Sequence, residues 1–168
     1  RLPVHDPRRR VLGDSEPGAA ETPRMLTRFV SFGFKYGPPV DADLIFDVRF
    51  LKNPHFVDEL RPHPGTSEPI RNFVLADPET RELLGQLESL LEFCIPRFER
   101  EGKSYLTVGV GCTGGRHRSV VVAVELAREL ERRHGAHIDV VHRDVERASL
   151  EERRSDPELI RPGPGGGA

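Results

Sequence analysis

Four short segments of the chain alternate apolar and polar residues or run apolar residues together, and each predicts a β-strand. They cover residues 26–34, 41–50, 105–110 and 137–142. The first is rich in aromatic and β-branched side chains, which strands favour. It runs into a stretch of glycines and paired prolines that indicates a turn.

Two longer segments repeat apolar residues every three or four positions and predict amphipathic helices. The first begins at Asp77, which can cap a helix, and Pro78, which suits the first helical position. Its apolar stripe is formed by Leu83, Leu84, Leu87, Leu90, Leu91 and Cys94. Pro96 is expected to kink or end this helix, and Gly102 to end what remains. Residues 58–76, which precede it, contain three prolines and predict a long loop with room for a short helix.

The second predicted helix covers residues 119–133 and is closed by Gly135. Strands that alternate with helices are typical of an α/β fold with a mostly parallel sheet and helices on its faces. We expect a single compact domain over residues 25–148. Residues 1–24 contain four prolines and residues 149–168 end in a Gly/Pro-rich run, so both are expected to be disordered tails.

Charges nearly balance, since 25 Lys and Arg face 27 Asp and Glu for a net charge of −2. This argues against a global basic surface, so RNA binding would need a local patch. The only cysteines, Cys94 and Cys112, lack the spacing of a zinc site or disulfide framework, and we expect no metal and no cofactor. Without a signal peptide or an apolar run of roughly 18 residues, we expect a soluble, cytoplasmic protein that does not contact membranes.

Residues 111–119 read Gly-Cys-Thr-Gly-Gly-Arg-His-Arg-Ser and join a predicted strand to a predicted helix. Unpaired backbone N–H groups at a helix N-terminus attract anions. Arg116, His117 and Arg118 add positive charge and donors suited to phosphate. The sequence therefore predicts an anion loop, residues 111–119, that binds a phosphate group.

Two kinds of enzyme can be considered for this loop. A nucleoside-triphosphate P-loop requires Gly-x-x-x-x-Gly-Lys-Ser/Thr, which no window supplies. Cys112 and Arg118 fit the Cys-x5-Arg spacing of cysteine-dependent phosphatases, in which a thiolate attacks phosphorus and the arginine holds the oxygens. Gly111 stands where such enzymes usually carry histidine, and neither Asp47 nor Asp77 can be singled out as the general acid. Phosphatase activity thus remains the enzymatic alternative to a binding site.

Charged and polar residues near the ends of the first two strands predict a second wall for this site. Lys35 follows the first strand, where α/β proteins place ligand contacts. Asp47 and Arg49 are two apart and share one face of the second strand, although a surface ion pair explains them equally well. The loop after them offers Asn53 and His55.

Four blocks, residues 31–37, 43–55, 104–108 and 111–120, resemble in order the C-terminal domain of the RapZ/YvcJ family of bacterial RNase adapters and nucleotide-binding proteins. The resemblance implies a metabolite-sensing regulatory domain that binds an amino-sugar phosphate, glucosamine-6-phosphate in the best-known member, without catalysing a reaction. Carried over by position, the phosphate would be held by Thr113, Gly114, Gly115, His117, Arg118 and Ser119, and the same pocket would be faced by Lys35, Asp47, Arg49, Asn53 and His55.

The same resemblance raises the question of further partners. The family's N-terminal P-loop ATPase domain has no counterpart in this sequence, and the best-known member also binds small RNA through a basic cluster. Here the corresponding residues 142–147 and 151–154 interleave acids with bases, which lowers the gain from counterion release and makes RNA binding doubtful. A protein partner and self-association are left open.

Overall fold

The computed structural model describes residues 24–135 and 137–155. Its strands are β1 (Leu26–Gly33), β2 (Leu44–Asp47), β3 (Tyr105–Cys112) and β4 (Ile138–His142). Its helices are α1 (Glu68–Ala76), α2 (Pro78–Glu101), α3 (Arg118–His134) and α4 (Val145–Ser155). Short 3-10 turns at Phe34–Tyr36 and Pro54–Phe56 follow the first two strands.

The four strands form one parallel sheet in the order β2-β3-β1-β4. Gly33 of β1 pairs with Cys112 of β3, and Asp47 of β2 pairs with Gly111, so three strands end side by side. The predicted α/β class with a parallel sheet is therefore confirmed. Because the strands are parallel, the loops that leave their carboxyl ends collect at one edge of the sheet.

The hydrophobic core lies between one face of the sheet and two helices. Phe29, Val108 and Val110 point from the strands towards Leu91 of α2 and Leu126 of α3, and all five side chains are fully buried. Helix α1 packs outside this layer, with its own small apolar cluster against α3. The anion loop enters α3 directly, so burial of α3 fixes where the loop sits.

One helix contains the proline that was expected to kink or end it, and another extends beyond the predicted domain boundary. Pro96 lies inside α2, which continues to Glu101 and ends at Gly102 with a left-handed φ of 117°. Packing of the neighbouring Ile95 and Phe98 against the core holds the turn that the proline weakens. Helix α4 runs to Ser155, past the expected domain boundary at residue 148. The remaining residues of both expected tails, 1–23 and 156–168, lie outside the described residues.

None of the helices described here combines the length and the apolar character that crossing a membrane requires.

Candidate functional site

The anion loop leaves β3 at Cys112 and enters α3 at Arg118, as the sequence predicts. Gly115 has a φ of +74°, and a Cβ built there would lie 2.5 Å from the backbone nitrogen of Gly33. A Cβ at Gly33 would in turn lie 2.5 Å from the carbonyl carbon of Gly114. The end of β1 and the loop thus touch backbone to backbone, which only glycine allows at both positions.

Arg118 is the most deeply buried cation of the loop, with 4% of its surface exposed. Its Nη1 donates to the carbonyl oxygens of Arg49 at 2.5 Å and Leu51 at 3.1 Å. Its Nη2 lies 3.4 Å from Thr113 Oγ1, while its Nε is buried without a hydrogen-bond partner in the described chain. Burial lowers the pKa of this guanidinium from its ordinary value. Arg118 therefore ties the β2 loop to the anion loop and keeps one donor without an acceptor.

Arg116 and His117 fasten the loop to residues 60–67, the segment before α1. Arg116 Nη2 donates to the carbonyl oxygen of Pro62 at 2.5 Å, and Gly65 N donates to the carbonyl oxygen of Arg116 at 2.7 Å. His117 Nε2 lies 2.7 Å from the carbonyl oxygen of His63. Because a carbonyl only accepts, this nitrogen carries the proton.

The positive charge predicted for His117 is wrong. Burial of the ring lowers the pKa of His117 to about 4, so the imidazole is neutral at neutral pH. Arg116 and Arg118 also repel a proton on this ring. The cationic character of the loop comes from its two arginines, and His117 offers the cavity a neutral ring.

Next to the loop lies a cavity of about 340 Å³ at the carboxyl edge of the sheet. Its lining comes from four places in the chain and consists of Lys35, Tyr36, Asn53, His55, Cys112, Thr113, Gly114, Arg116, His117, Arg118 and Glu151. Lys35 N donates to the carbonyl oxygen of Thr113 at 3.1 Å, which fixes the Phe34–Tyr36 turn against the loop. Asn53 Oδ1 accepts from His55 N at 3.1 Å and orders the turn that carries both residues.

Four predicted site residues lie beside this cavity and not in its lining. Asp47 and Arg49 form a half-exposed bidentate ion pair, with distances of 2.6–3.0 Å. The hydrogen bonds from Arg49 lower the pKa of the Asp47 carboxyl. Gly115 shapes the turn, and the hydroxyl of the fully buried Ser119 lies 3.1 Å from the sulfur of Cys112.

Three residues near the site had no signal in the sequence. Glu151 of α4 reaches back to bond Lys35, and Tyr36 lines the cavity beside them. Asp144 is fully buried and accepts hydrogen bonds from Gly33 N at 2.8 Å and from Arg143 at 2.8–3.1 Å. The contacts of Glu151 with Lys35 and of Asp144 with Gly33 span more than 100 residues of sequence, so no local pattern could have indicated them.

Arg143, considered above as part of an RNA-binding segment, is engaged within the protein. Its Nη2 donates to the carbonyl oxygen of Gly37 at 2.5 Å as well as to Asp144, and its guanidinium lies 5.5 Å from the ring centre of Phe32. It joins the end of β4 to the turn after β1. Arg143 therefore supports the walls of the cavity.

The chemistry of the cavity suits a small anion. Lys35, Arg116 and Arg118 supply cationic donors, and Glu151 is the one carboxylate among the described residues of the lining. The described residues contain no group of three or more His, Cys, Asp or Glu side chains placed to hold a metal ion. Cationic donors with backbone amides at a helix start are the groups that bind phosphate in proteins.

Comparison with known proteins gives consistent matches over this region. The family described as the RapZ C-terminal domain matches residues 25–146. A nucleotide-binding protein of Sorangium cellulosum is 58% identical over 149 residues, which cover 89% of this chain and 42% of that protein. A nucleotide-binding protein of Geobacter metallireducens is 50% identical over 146 residues, 87% of this chain and 50% of that protein. The chain thus spans about half the length of these curated relatives.

Proposed function

The chain belongs to the family of RapZ C-terminal domains, and from this premise we propose that it is a cytoplasmic regulatory domain that binds a phosphorylated amino sugar. The ligand would be of the glucosamine-6-phosphate type, with its phosphate on the anion loop. The observation that carries the proposal is the convergence of the loop, the Phe34–Tyr36 turn and the Asn53–His55 turn on one cavity.

The phosphate would lie against Thr113, Gly114 and the start of α3. The α3 N-terminus contributes N–H groups without helical partners, and the buried Nε of Arg118 has no acceptor among the described residues. A doubly charged phosphate would offer several acceptor oxygens to these donors. Lys35, on the Phe34–Tyr36 turn that bonds the loop, would provide a second cation.

The sugar would lie towards Asn53, His55 and Tyr36. Amide, imidazole and phenol groups recognise hydroxyls by donating and accepting hydrogen bonds. Glu151 supplies a carboxylate that could accept a hydrogen bond from an ammonium group. A cavity of about 340 Å³ is near the lower limit for ligand sites and suits a sugar phosphate better than a nucleotide.

The relatives named above are called nucleotide-binding proteins, and they are about twice as long as this chain. This sequence contains no Gly-x-x-x-x-Gly-Lys-Ser/Thr motif. We therefore assign no nucleotide to the cavity described here.

Thermal unfolding of the full chain with single ligands tests the proposal. Glucosamine-6-phosphate at about 100 times its dissociation constant should raise the free energy of unfolding by roughly 2.7 kcal/mol. Lys35→Met should weaken this response, because Lys35 lines the cavity and is exposed enough to replace without unfolding. Lys52→Met is the matched control, since Lys52 is an exposed lysine outside the lining. No response to glucosamine-6-phosphate, N-acetylglucosamine-6-phosphate or UDP-N-acetylglucosamine would reject this ligand class, and inorganic phosphate then tests the anion loop alone.

A cysteine-dependent phosphatase is the second candidate, because Cys112 lines the cavity with its sulfur 3.1 Å from the Ser119 hydroxyl. The Nη groups of Arg118 are engaged by the carbonyl oxygens of Arg49 and Leu51 and by Thr113, which disfavours the arginine as a clamp for the transferred phosphoryl group. Hydrolysis of an aryl phosphate that disappears in Cys112→Ser would favour the enzyme. Binding without turnover in the parent chain would favour the regulatory domain.

A further inference from the structure

Helix α4 contributes Glu151 to the lining of the cavity but lies outside the hydrophobic core. Neither apolar cluster of the domain includes a residue of α4 among the described side chains, and Leu150 of this helix is 54% exposed. The helix has 11 residues, and an isolated helix shorter than roughly 12–15 residues is marginally stable in water. Both the position and the helical structure of α4 therefore depend on the polar contacts that hold it to the rest of the protein.

Charged side chains form these contacts with the Phe34–Tyr36 turn. Glu151 bonds Lys35, and about half of each side chain is exposed. One turn earlier in α4, the guanidinium of Arg147 lies 5.4 Å from the ring centre of Tyr36. Exposed ion pairs of this kind contribute little to stability. Helix α4 is therefore weakly held against the turn.

The bond between Glu151 and Lys35 engages a cation that the cavity would offer to a ligand. The hydrogen bond from Lys35 lowers the pKa of the Glu151 carboxyl, so this group is ionised at neutral pH. The backbone N of Lys35 donates to the carbonyl oxygen of Thr113 at 3.1 Å, which keeps the turn against the anion loop when the side chain changes partner. A doubly charged phosphate on the loop would attract Lys35 more strongly than one carboxylate does, and it would repel Glu151.

We propose that binding of an anion in the cavity releases α4 from the Phe34–Tyr36 turn. The inference rests on the proposed function, because it requires an anion on the loop. In the empty cavity Glu151 is the partner of Lys35, and a bound phosphate takes its place. Anion binding and the docking of α4 then oppose each other, and each weakens the other by the same factor. Occupancy of the cavity is thereby converted into a change in the order of α4.

Amide hydrogen exchange of the full chain, with and without saturating inorganic phosphate, tests the release. Residues 145–155 should exchange about two- to fivefold faster with phosphate, which is the range expected for loss of one exposed ion pair. The anion loop should exchange more slowly in the same sample, because phosphate accepts hydrogen bonds from its backbone N–H groups. Slower exchange in the loop without faster exchange in α4 would overturn the release and leave the anion site standing. No change in either segment would reject the anion site and the release with it.

Two substitutions on α4 test whether the release depends on Glu151. In Glu151→Gln, residues 145–155 should already exchange about two- to fivefold faster without phosphate, and phosphate should cause no further increase. Glu146→Gln is the matched control, since Glu146 is exposed on the same helix, and this variant should keep the phosphate response. Because α4 lies outside the core, both variants should remain folded. A phosphate response of α4 that persists in Glu151→Gln would contradict the proposed exchange of partners.

Discussion

Two cavities lie at opposite edges of the sheet, and the smaller one has the lining that better suits a charged ligand. The amino-edge cavity is the larger, at about 550 Å³, and its walls include Met25, Leu91, Ile95 and Pro96. The carboxyl-edge cavity is about 340 Å³, and its walls are the anion loop and the two turns described above. The smaller one is lined by Lys35, Arg116 and Arg118, which follow two different strands, whereas Arg24 is the one Lys or Arg among the described residues that line the larger.

The difference shows how a parallel sheet divides structure from function. The segments that leave helices enter the sheet at its amino edge. Pro96 of α2 lies at this edge and, as a proline, has no N–H to donate. The carboxyl edge of the sheet emits the loops whose side chains and amides remain available to a ligand. We therefore interpret the larger cavity as a packing gap and the smaller one as the binding site.

Gly115→Ala should disrupt the carboxyl-edge cavity more than any of the other substitutions described below. The new Cβ would lie 2.5 Å from Gly33 N in a backbone conformation with positive φ. We expect destabilisation of roughly 3 kcal/mol or more and no ligand response, measured by urea unfolding and thermal shift. Gly85→Ala in α2 is the control, because nothing lies within 4 Å of its added Cβ, and it should stabilise by about 0.5–1 kcal/mol. Equal tolerance of both changes would contradict the close backbone packing of the loop.

The neutral His117 should make the carboxyl edge sensitive to acid. Its pKa is about 4 in the fold and 6.5 when unperturbed, so the unfolded chain takes up the proton first as pH falls. The free energy of unfolding should therefore decrease between pH 6.5 and pH 4, by roughly 3 kcal/mol in total.

Urea unfolding across this pH range measures the effect. His117→Asn should flatten the dependence, and His134→Asn, at the exposed end of α3, should leave it unchanged. Burial also lowers the pKa of His142, which adds a slope of the same sign, so part of the dependence should remain in His117→Asn. An unchanged slope in that variant would show that His117 is not buried as described.

Filling the amino-edge cavity should improve stability without touching the site. Ile95 lines this cavity and is only partly buried, so Ile95→Phe adds apolar volume where space exists. We expect a gain of about 1 kcal/mol, seen as a higher melting temperature, with the glucosamine-6-phosphate response unchanged. A weakened ligand response would assign a functional role to the larger cavity.

The smallest effect is expected from Glu151→Gln. Glu151 bonds Lys35, and each partner shifts the pKa of the other towards its charged form, raising that of Lys35 and lowering that of Glu151. A phosphate must compete with this carboxylate for Lys35, so the variant should bind inorganic phosphate roughly two- to fivefold more tightly in calorimetry. Glu146→Gln, an exposed change on the same helix, should not. Weaker binding of glucosamine-6-phosphate alone would instead indicate that Glu151 holds its ammonium group.

Periodicity and turn chemistry were sufficient to predict the strands, the two long helices and the loop between β3 and α3. Gly102 and Gly135 end their helices in the left-handed conformation that glycine favours, which is a local property of the sequence. Pro96 was expected to kink or end its helix, and the helix continues through it to the predicted end at Gly102.

The walls of the site were less accessible to sequence reasoning. Lys35, Asn53 and His55 could be placed at strand ends, since strand ends are visible in the sequence. The neutral state of His117 depends on burial under residues 60–67, and the position of Glu151 depends on a contact across 116 residues. Neither leaves a local pattern.

The hydrogen bonds between the anion loop and residues 60–67 connect the cavity to a surface segment that lies outside its lining. The side chains of Arg116 and His117, two residues that line the cavity, bond the backbone carbonyl oxygens of Pro62 and His63. A ligand that orders the loop would slow amide hydrogen exchange in this earlier surface segment, which does not itself line the cavity. The affinity of a protein that docks on residues 60–67 would then depend on whether the cavity holds ligand, without any contact between that protein and the ligand.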